Sequence, residues 1–171
     1  GVAFPDLPPL PPLPELPVAE GVRAFSIDDA TTVEIDDAFS VRELPGGRTS
    51  VGIHIAAPAV SILHGDAYDA VARSRLSTVY MPGRKITMLP DDVVRAFSLA
   101  AGEPRPALSL YIELDEQGAP VCHRTAVERV TVAANLALDK VGEAFANPLP
   151  SPADPPWTAE MRVLWKLVQR L

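Results

Sequence analysis

The 171 residues are 47% hydrophobic, enough for a real core, which excludes a disordered tail. A single cysteine, Cys122, excludes an internal disulfide framework and points to a reducing compartment. Fifteen basic against 22 acidic residues give a formal net charge of −7, opposite in sign to the footprint of a general nucleic-acid binder, although a sum can hide a basic strip beside an acidic pocket.

Residues 4–17, FPDLPPLPPLPELP, carry seven prolines in fourteen positions and read as an extended polyproline linker, placed at residues 1–21. The first residue is Gly rather than Met, so the expectation is a segment of a longer polypeptide. No run of about 18 apolar residues occurs, and the start lacks the basic and apolar stretches of a secretory signal. A cytoplasmic location is therefore expected, with no membrane association.

From Val22 the runs RAFSI, AFSVREL and RTSVGIHIAA predict one strand and then a hairpin turning at Leu44-Pro45-Gly46-Gly47. Residues 61–76 predict a short amphipathic helix, and Tyr80-Met81-Pro82-Gly83 a turn. Pro90 ahead of DDVVRAFSLA predicts a helix capped by Asp91 or Asp92. ALSLYIEL and APVCHRTAVERV flank Asp115-Glu116-Gln117-Gly118 as a second hairpin. Residues 133–145 are helical in composition, 147–156 a proline-rich loop, and TAEMRVLWKLVQRL an amphipathic helix with Trp165 on its apolar side. The fold class predicted is α+β, a mixed, mainly antiparallel sheet with flanking helices.

The stretch FSIDDATTVEIDDAFS places five carboxylates, Asp28, Asp29, Glu34, Asp36 and Asp37, within ten residues and no basic side chain among them. Carboxylates brought together either take up protons or recruit a hard cation through oxygen ligands. Strand pairing would bring Asp28 beside Asp36 or Asp37. The spacing is not an EF-hand loop, since Ala30, Thr32 and Val33 occupy the positions that such a loop needs, so Mg²⁺ catalysis of phosphodiester hydrolysis is favoured over Ca²⁺ buffering. A solvated acidic loop is the plain alternative.

With these residues in view, IDDATTVEIDDAFSV resembles the signature that opens the catalytic domain of ribonuclease II and ribonuclease R, the RNB-domain exoribonucleases. VGIHIA, STVYMPGRKITMLPDDV and FSLAAGEPRPALSLYIELDEQG are similar to the family's following segments, in the same order, and the likeness runs from Phe25 to the C-terminus. The resemblance implies a magnesium-dependent hydrolase, with Mn²⁺ as a substitute, that degrades single-stranded RNA from its 3′ end and releases nucleoside 5′-monophosphates. It implies that residues 22–171 are the N-terminal part of such a domain. Asp28, Asp36 and Asp37 fall on metal-binding aspartates, with Asp36 and Asp37 catalytic, and Glu34, a fourth metal-binding position, falls where the family usually has aspartate, its added methylene leaving contact with the ion direct or through water. Tyr80 matches a base-stacking tyrosine, and Arg73, Arg75, Arg84 and Lys85 bracket it as candidate phosphate contacts, of which Arg84 and Arg73 are the ones singled out.

Two positions depart from the family: Leu138 replaces a tyrosine that senses the sugar hydroxyl, and Ala57 an acidic residue. The family's paired arginines, a second stacking aromatic and an S1-type RNA-binding domain are absent from these 171 residues, so the chain alone is expected to be nearly inactive. His54, His64 and His123 show no zinc spacing and read as structural or exposed, while Cys122 reads as a buried small hydrophobe. No phosphate loop or GxGxxG occurs, so no nucleotide cofactor is expected. The protein is taken as a monomer whose partner is RNA. The alternative function is a non-catalytic RNA- or protein-binding module with a structural cation site.

Overall fold

A computed structural model describes residues 3–146, 151, 152 and 154–169. In chain order the elements are β1 (Ala24–Asp28), β2 (Asp37–Glu43), β3 (Thr49–Ala56), α1 (Ala67–Arg75), β4 (Val79–Met81), β5 (Arg84–Ile86), α2 (Asp91–Phe97), β6 (Pro104–Leu114), β7 (Pro120–Ala137), α3 (Leu138–Ala146) and α4 (Thr158–Val168). Five strands close a barrel in the order β1-β2-β3-β6-β7. Successive neighbours are antiparallel, and β7 returns to pair with β1 in parallel, from Ala24↔Val132 to Asp28↔Ala137. Strands β4 and β5 form a separate two-stranded hairpin.

The α+β class is therefore present, and closure adds what alternation did not reveal. A barrel of so few strands leaves little room inside, so its inward rows carry small or polar residues. Ala24, Ser26, Ala38, Ser40, Ser50, Gly52, Ala107 and Ser109 are buried, whereas Ile53 and Ile55 on β3 point outward and are 40% and 45% exposed. His54 is threaded among them, fully buried. Its Nε2 lies 3.0 Å from Ser40 Oγ and its Nδ1 2.8 Å from Ser109 Oγ. The His54 ring meets Tyr111 edge-on at 5.5 Å, and the Tyr111 hydroxyl donates to Glu128 at 2.7 Å. Gly52 makes room for this arrangement, because a Cβ there would collide with Ser40 Oγ and lie 2.8 Å from His54 Nε2.

Three apolar clusters surround the barrel. Ala24, Ile35, Ala38, Leu99, Ala107, Val130 and Val132 form the first. Phe25, Leu136, Val141 and Met161 join the outer face of β1 and β7 to α3 and α4. Tyr68, Leu89, Val93 and Phe97 join α1 to α2, and Leu7 and Leu10 of the proline-rich segment pack on them. That segment carries no helix or strand, and it lies along the domain. The Tyr68 hydroxyl donates to Pro8 O at 2.8 Å, the Arg75 guanidinium sits 3.7 Å over the Phe4 ring, and the Arg129 amide donates to Pro17 O at 2.8 Å.

Several local expectations are corrected. Residues 133–137 continue β7 instead of starting a helix, because their partners on β1 offer a ladder that outweighs the helical propensity of alanine. The helix expected over 61–76 starts at Ala67, where the Asp66 carboxylate accepts from the Asp69 amide. Helix α2 has Pro90 at its N-cap without a side-chain cap, and Asp91 and Asp92 lie inside its first turn. Tyr80 and Met81 belong to β4, so the turn narrows to Pro82 and Gly83. Cys122, expected in the interior, is exposed on β7. The loop over 147–156 lies partly outside the described residues. Among the described residues no helix is long and apolar enough to cross a membrane.

Burial pushes the His54 imidazole down to about 4 from 6.5, with the Glu128 carboxylate opposing. Below 6.5 the unfolded chain binds a proton that the folded chain refuses, so stability is full above that pH and is lost as pH falls towards 4. The loss expected is about 3 kcal/mol, read as a falling urea midpoint between pH 7 and pH 4.5. His54→Asn, less stable at pH 7, should flatten that slope. An unchanged slope in the variant would assign the acid sensitivity to other groups.

Candidate active site

The acidic residues sit where β1 ends and β2 begins. The β1–β2 ladder pairs Ala24 with Ser40 and Phe25 with Phe39. The ladder ends there, and Asp28 and Asp36 lie just beyond its last pair, near enough for their charges to act on one another. The intervening loop is pinned at several points. The Ile35 amide donates to Ser98 Oγ at 2.9 Å, Ser98 Oγ donates to Val33 O at 3.3 Å, and the Leu99 amide donates to Ile35 O at 2.9 Å. The Ala56 amide donates to Asp36 O at 2.8 Å, tying the loop's exit to the end of β3.

The four carboxylates feel one another. The Asp36 carboxyl is held above the ordinary carboxylate range, first by its partial desolvation and then by Glu34, Asp37 and Asp28, with Lys85 opposing. Asp28 is half-buried, and its Oδ2 is inaccessible and has no hydrogen-bond partner among the described residues. Glu34 is largely covered, with 13% of its side chain accessible, and pairs through Oε2 with Lys85 Nζ at 3.3 Å. Asp37 and Asp29 are exposed.

An all-oxygen donor set and an orphaned buried carboxylate oxygen both suit a hard divalent cation. Among the described residues, however, no three His, Cys, Asp or Glu side chains converge closely enough to chelate an ion as they stand.

A cleft of about 460 Å³ opens beside this corner, lined by Glu34, Asp36, Leu76, Tyr80, Met88 and Phe97 among others; Asp28 and Asp37 are outside its walls. Tyr80, 68% exposed, thus faces the same space as two of the carboxylates. Leu76 stands at its lip, 80% exposed and at a φ of 68° that leucine rarely adopts.

The candidate basic residues divide. Arg84 is exposed on β5 opposite Met81. Arg73 is exposed on α1, its Nη1 3.4 Å from His64 Nε2, and does not line the cleft. Arg75 is committed elsewhere, donating to Thr87 O at 3.0 Å and Ala3 O at 3.1 Å and covering Phe4. Leu138, 60% exposed, borders a separate apolar groove of about 410 Å³ between α3 and α4. Ala57 follows β3, its amide donating to Pro106 O at 3.2 Å. Sequence reasoning missed Ser98 as the loop's anchor and Lys85 as Glu34's partner. These lie 63 residues from Ile35 and 51 residues from Glu34, and nothing local in the sequence signals either contact.

Residues 20–171 match the RNB domain family. Over 94 residues, 54% of the chain, the sequence is 39% identical to exoribonuclease 2 of Vibrio cholerae, of which it covers 14%. The fold superimposes on Mycoplasma genitalium RNase R in complex with ribose-methylated single-stranded RNA with a TM-score of 0.78 at 21% identity, covering 91% of this chain and 25% of that one. It superimposes equally well on yeast Ssd1, a pseudonuclease, with a TM-score of 0.79 at 22% identity, covering 95% of this chain and 20% of that one. The chain thus spans a minor part of each relative's length.

Ser98→Ala should leave the buried Ile35 amide without a partner and cost about 1–3 kcal/mol in urea unfolding. Hydrogen exchange at Ile35 should accelerate at the same time. Unchanged exchange there would show that the Leu99 contact alone holds the loop.

Proposed function

Because the chain belongs to the RNB-domain family, matched over residues 20–171, we propose that it forms the carboxylate-bearing part of a magnesium-dependent exoribonuclease. In this reading the enzyme hydrolyses single-stranded RNA from the 3′ end and releases nucleoside 5′-monophosphates. One observation carries the proposal: Asp36, its carboxyl raised by partial desolvation and then by its acidic neighbours, lines the same cleft as the exposed ring of Tyr80. The pairing sets a cation-seeking corner beside a stacking surface, which are the two things a sequence-independent nuclease needs.

Asp28, Asp36 and Asp37 would hold the ion, and when bound Mg²⁺ supplies Lewis-acid activation of water and phosphate. Tyr80 would stack on a base near the 3′ end and so orient the terminal phosphodiester towards Asp36. Arg84 on the hairpin, and Arg73 further out on α1, would follow the backbone phosphates by charge. The ribose-facing position left by Leu138 offers no hydroxyl to recognise sugar. The exposed thiol of Cys122 suits a reducing cytoplasm, and we take the protein to act there as a monomer without a nucleotide cofactor.

A second reading is a non-catalytic RNA- or protein-binding module. It is favoured by the likeness to a pseudonuclease and by the lack of a ready three-carboxylate chelate among the described residues. Fold alone does not decide between the two.

Asp36→Asn, made in the natural polypeptide that carries this sequence, should lower turnover of an unstructured 5′-labelled RNA by about 10²-fold or more while RNA still binds. Hydrolysis that survives the change would remove Asp36 from catalysis and support the binding-module reading. Tyr80→Ala should raise the RNA dissociation constant by about tenfold, the order expected for one lost stacking contact, and Tyr80→Phe should restore it. Equal affinity of the alanine variant and the native protein would show that no base stacks on this ring.

A further inference from the structure

We propose that the α1–α2 face is a polyproline-recognition surface whose ligand is residues 3–19 of the same chain, docked there as a strap. The segment is then a working part of the domain and not a spacer. It precedes residues 20–171, the stretch that matches the RNB family, so the family likeness does not account for it.

The pattern of covered residues points to the conformation. From Ala3 to Ala19, the residues Phe4, Leu7, Leu10, Leu16 and Ala19 are partly covered, and every other residue is exposed. All five fall on one three-residue repeat, of which Leu13, 42% exposed, is the remaining member. A polyproline II helix has three residues per turn, so positions three apart share one face. A strand would cover alternate residues, and an α-helix would drift out of a strict three-residue phase. All seven prolines lie off the repeat, on the open faces, where they fix φ without competing for the apolar slots.

The surface supplies what such a ligand lacks. Proline has no N–H, so the strap is rich in carbonyl acceptors and poor in donors. The domain answers with donors at four points. Arg75 Nη2 donates to Ala3 O at 3.1 Å, the Tyr68 hydroxyl to Pro8 O at 2.8 Å, Ser61 Oγ to Pro12 O at 3.4 Å and the Arg129 amide to Pro17 O at 2.8 Å. Between them Leu7 and Leu10 pack on the cluster of Tyr68, Leu89, Val93 and Phe97, and the Phe4 ring lies 3.7 Å from the Arg75 guanidinium. Apolar slots beside aromatic side chains are how proline-rich ligands are commonly read. The helices need this cover in turn. They are nine and seven residues long, and helices so short depend on packing for their stability.

The test uses the natural polypeptide. Leu10→Pro combined with Pro11→Leu keeps the composition and moves the leucine off the covered face. Amide hydrogen exchange in residues 67–75 and 91–97 should then accelerate by about tenfold, the scale of one leucine side chain removed from cover. Pro9→Ala, on an open face, should change those rates by no more than about twofold. The polypeptide lacking residues 3–19 should also exchange fast, and a synthetic peptide of those residues, added in trans, should restore protection. The same peptide carrying Leu7→Ser and Leu10→Ser should not. Native rates in the phase-shifted variant would overturn the strap, and so would equal rescue by the two peptides. Should the shortened polypeptide fail to fold, the contrast between the phase-shifted variant and Pro9→Ala still decides.

Discussion

Closure of the barrel by the parallel return of β7 onto β1 is the constraint on which the acidic corner depends. With β7 on one edge and β2 on the other, β1 is laddered on both sides, and a one-residue slip would turn its buried row outward. Phe25 and Ser26, 1% exposed each, make that slip costly. The same strand ends bring Asp28 into the neighbourhood of Asp36, whose carboxyl is raised first by partial desolvation and then by Glu34, Asp37 and Asp28, and Asp28 Oδ2 has no hydrogen-bond partner among the described residues.

The interior enforces the same rigidity. His54 hydrogen-bonds at both ring nitrogens to serines on the flanking strands β2 and β6, and Gly52 leaves the room that its ring occupies. A polar core whose members are all satisfied specifies one arrangement more sharply than an apolar one of equal volume. The corner is thus attached to the stiffest part of the molecule, while the aromatic that faces it rides on a small exposed hairpin.

Much of this was legible in the residues, and what was not has a common cause. Alternation and turn chemistry located the strand and hairpin before Ala57, the turn at Asp115–Gly118 and the final helix, and the run of acids marked the corner itself. Period-two alternation, however, identifies a strand without saying which row faces inward. On β3 the row of Ser50, Gly52 and His54 is inside and Ile53 and Ile55 are outside, the reverse of a simple hydrophobic reading. The segment AANLA looks helical until its partners on β1, more than a hundred residues earlier, are known. The Lys85–Glu34 and Ser98–Ile35 contacts are likewise long-range, and no local window contains them.

The distribution of charge resolves the tension between a net charge of −7 and an RNA partner. Of the four basic residues that bracket Tyr80, Lys85 is spent on Glu34 and Arg75 on Phe4 and two backbone carbonyls. Arg84 and Arg73 stand in solvent, and only Arg84 is carried on the hairpin itself. Under the nuclease reading two exposed guanidinium groups would give little counterion release, and stacking on Tyr80 would supply most of the affinity that this part of the protein contributes. On that reading, a surface that gripped by stacking more than by charge would let a strand slide towards Asp36.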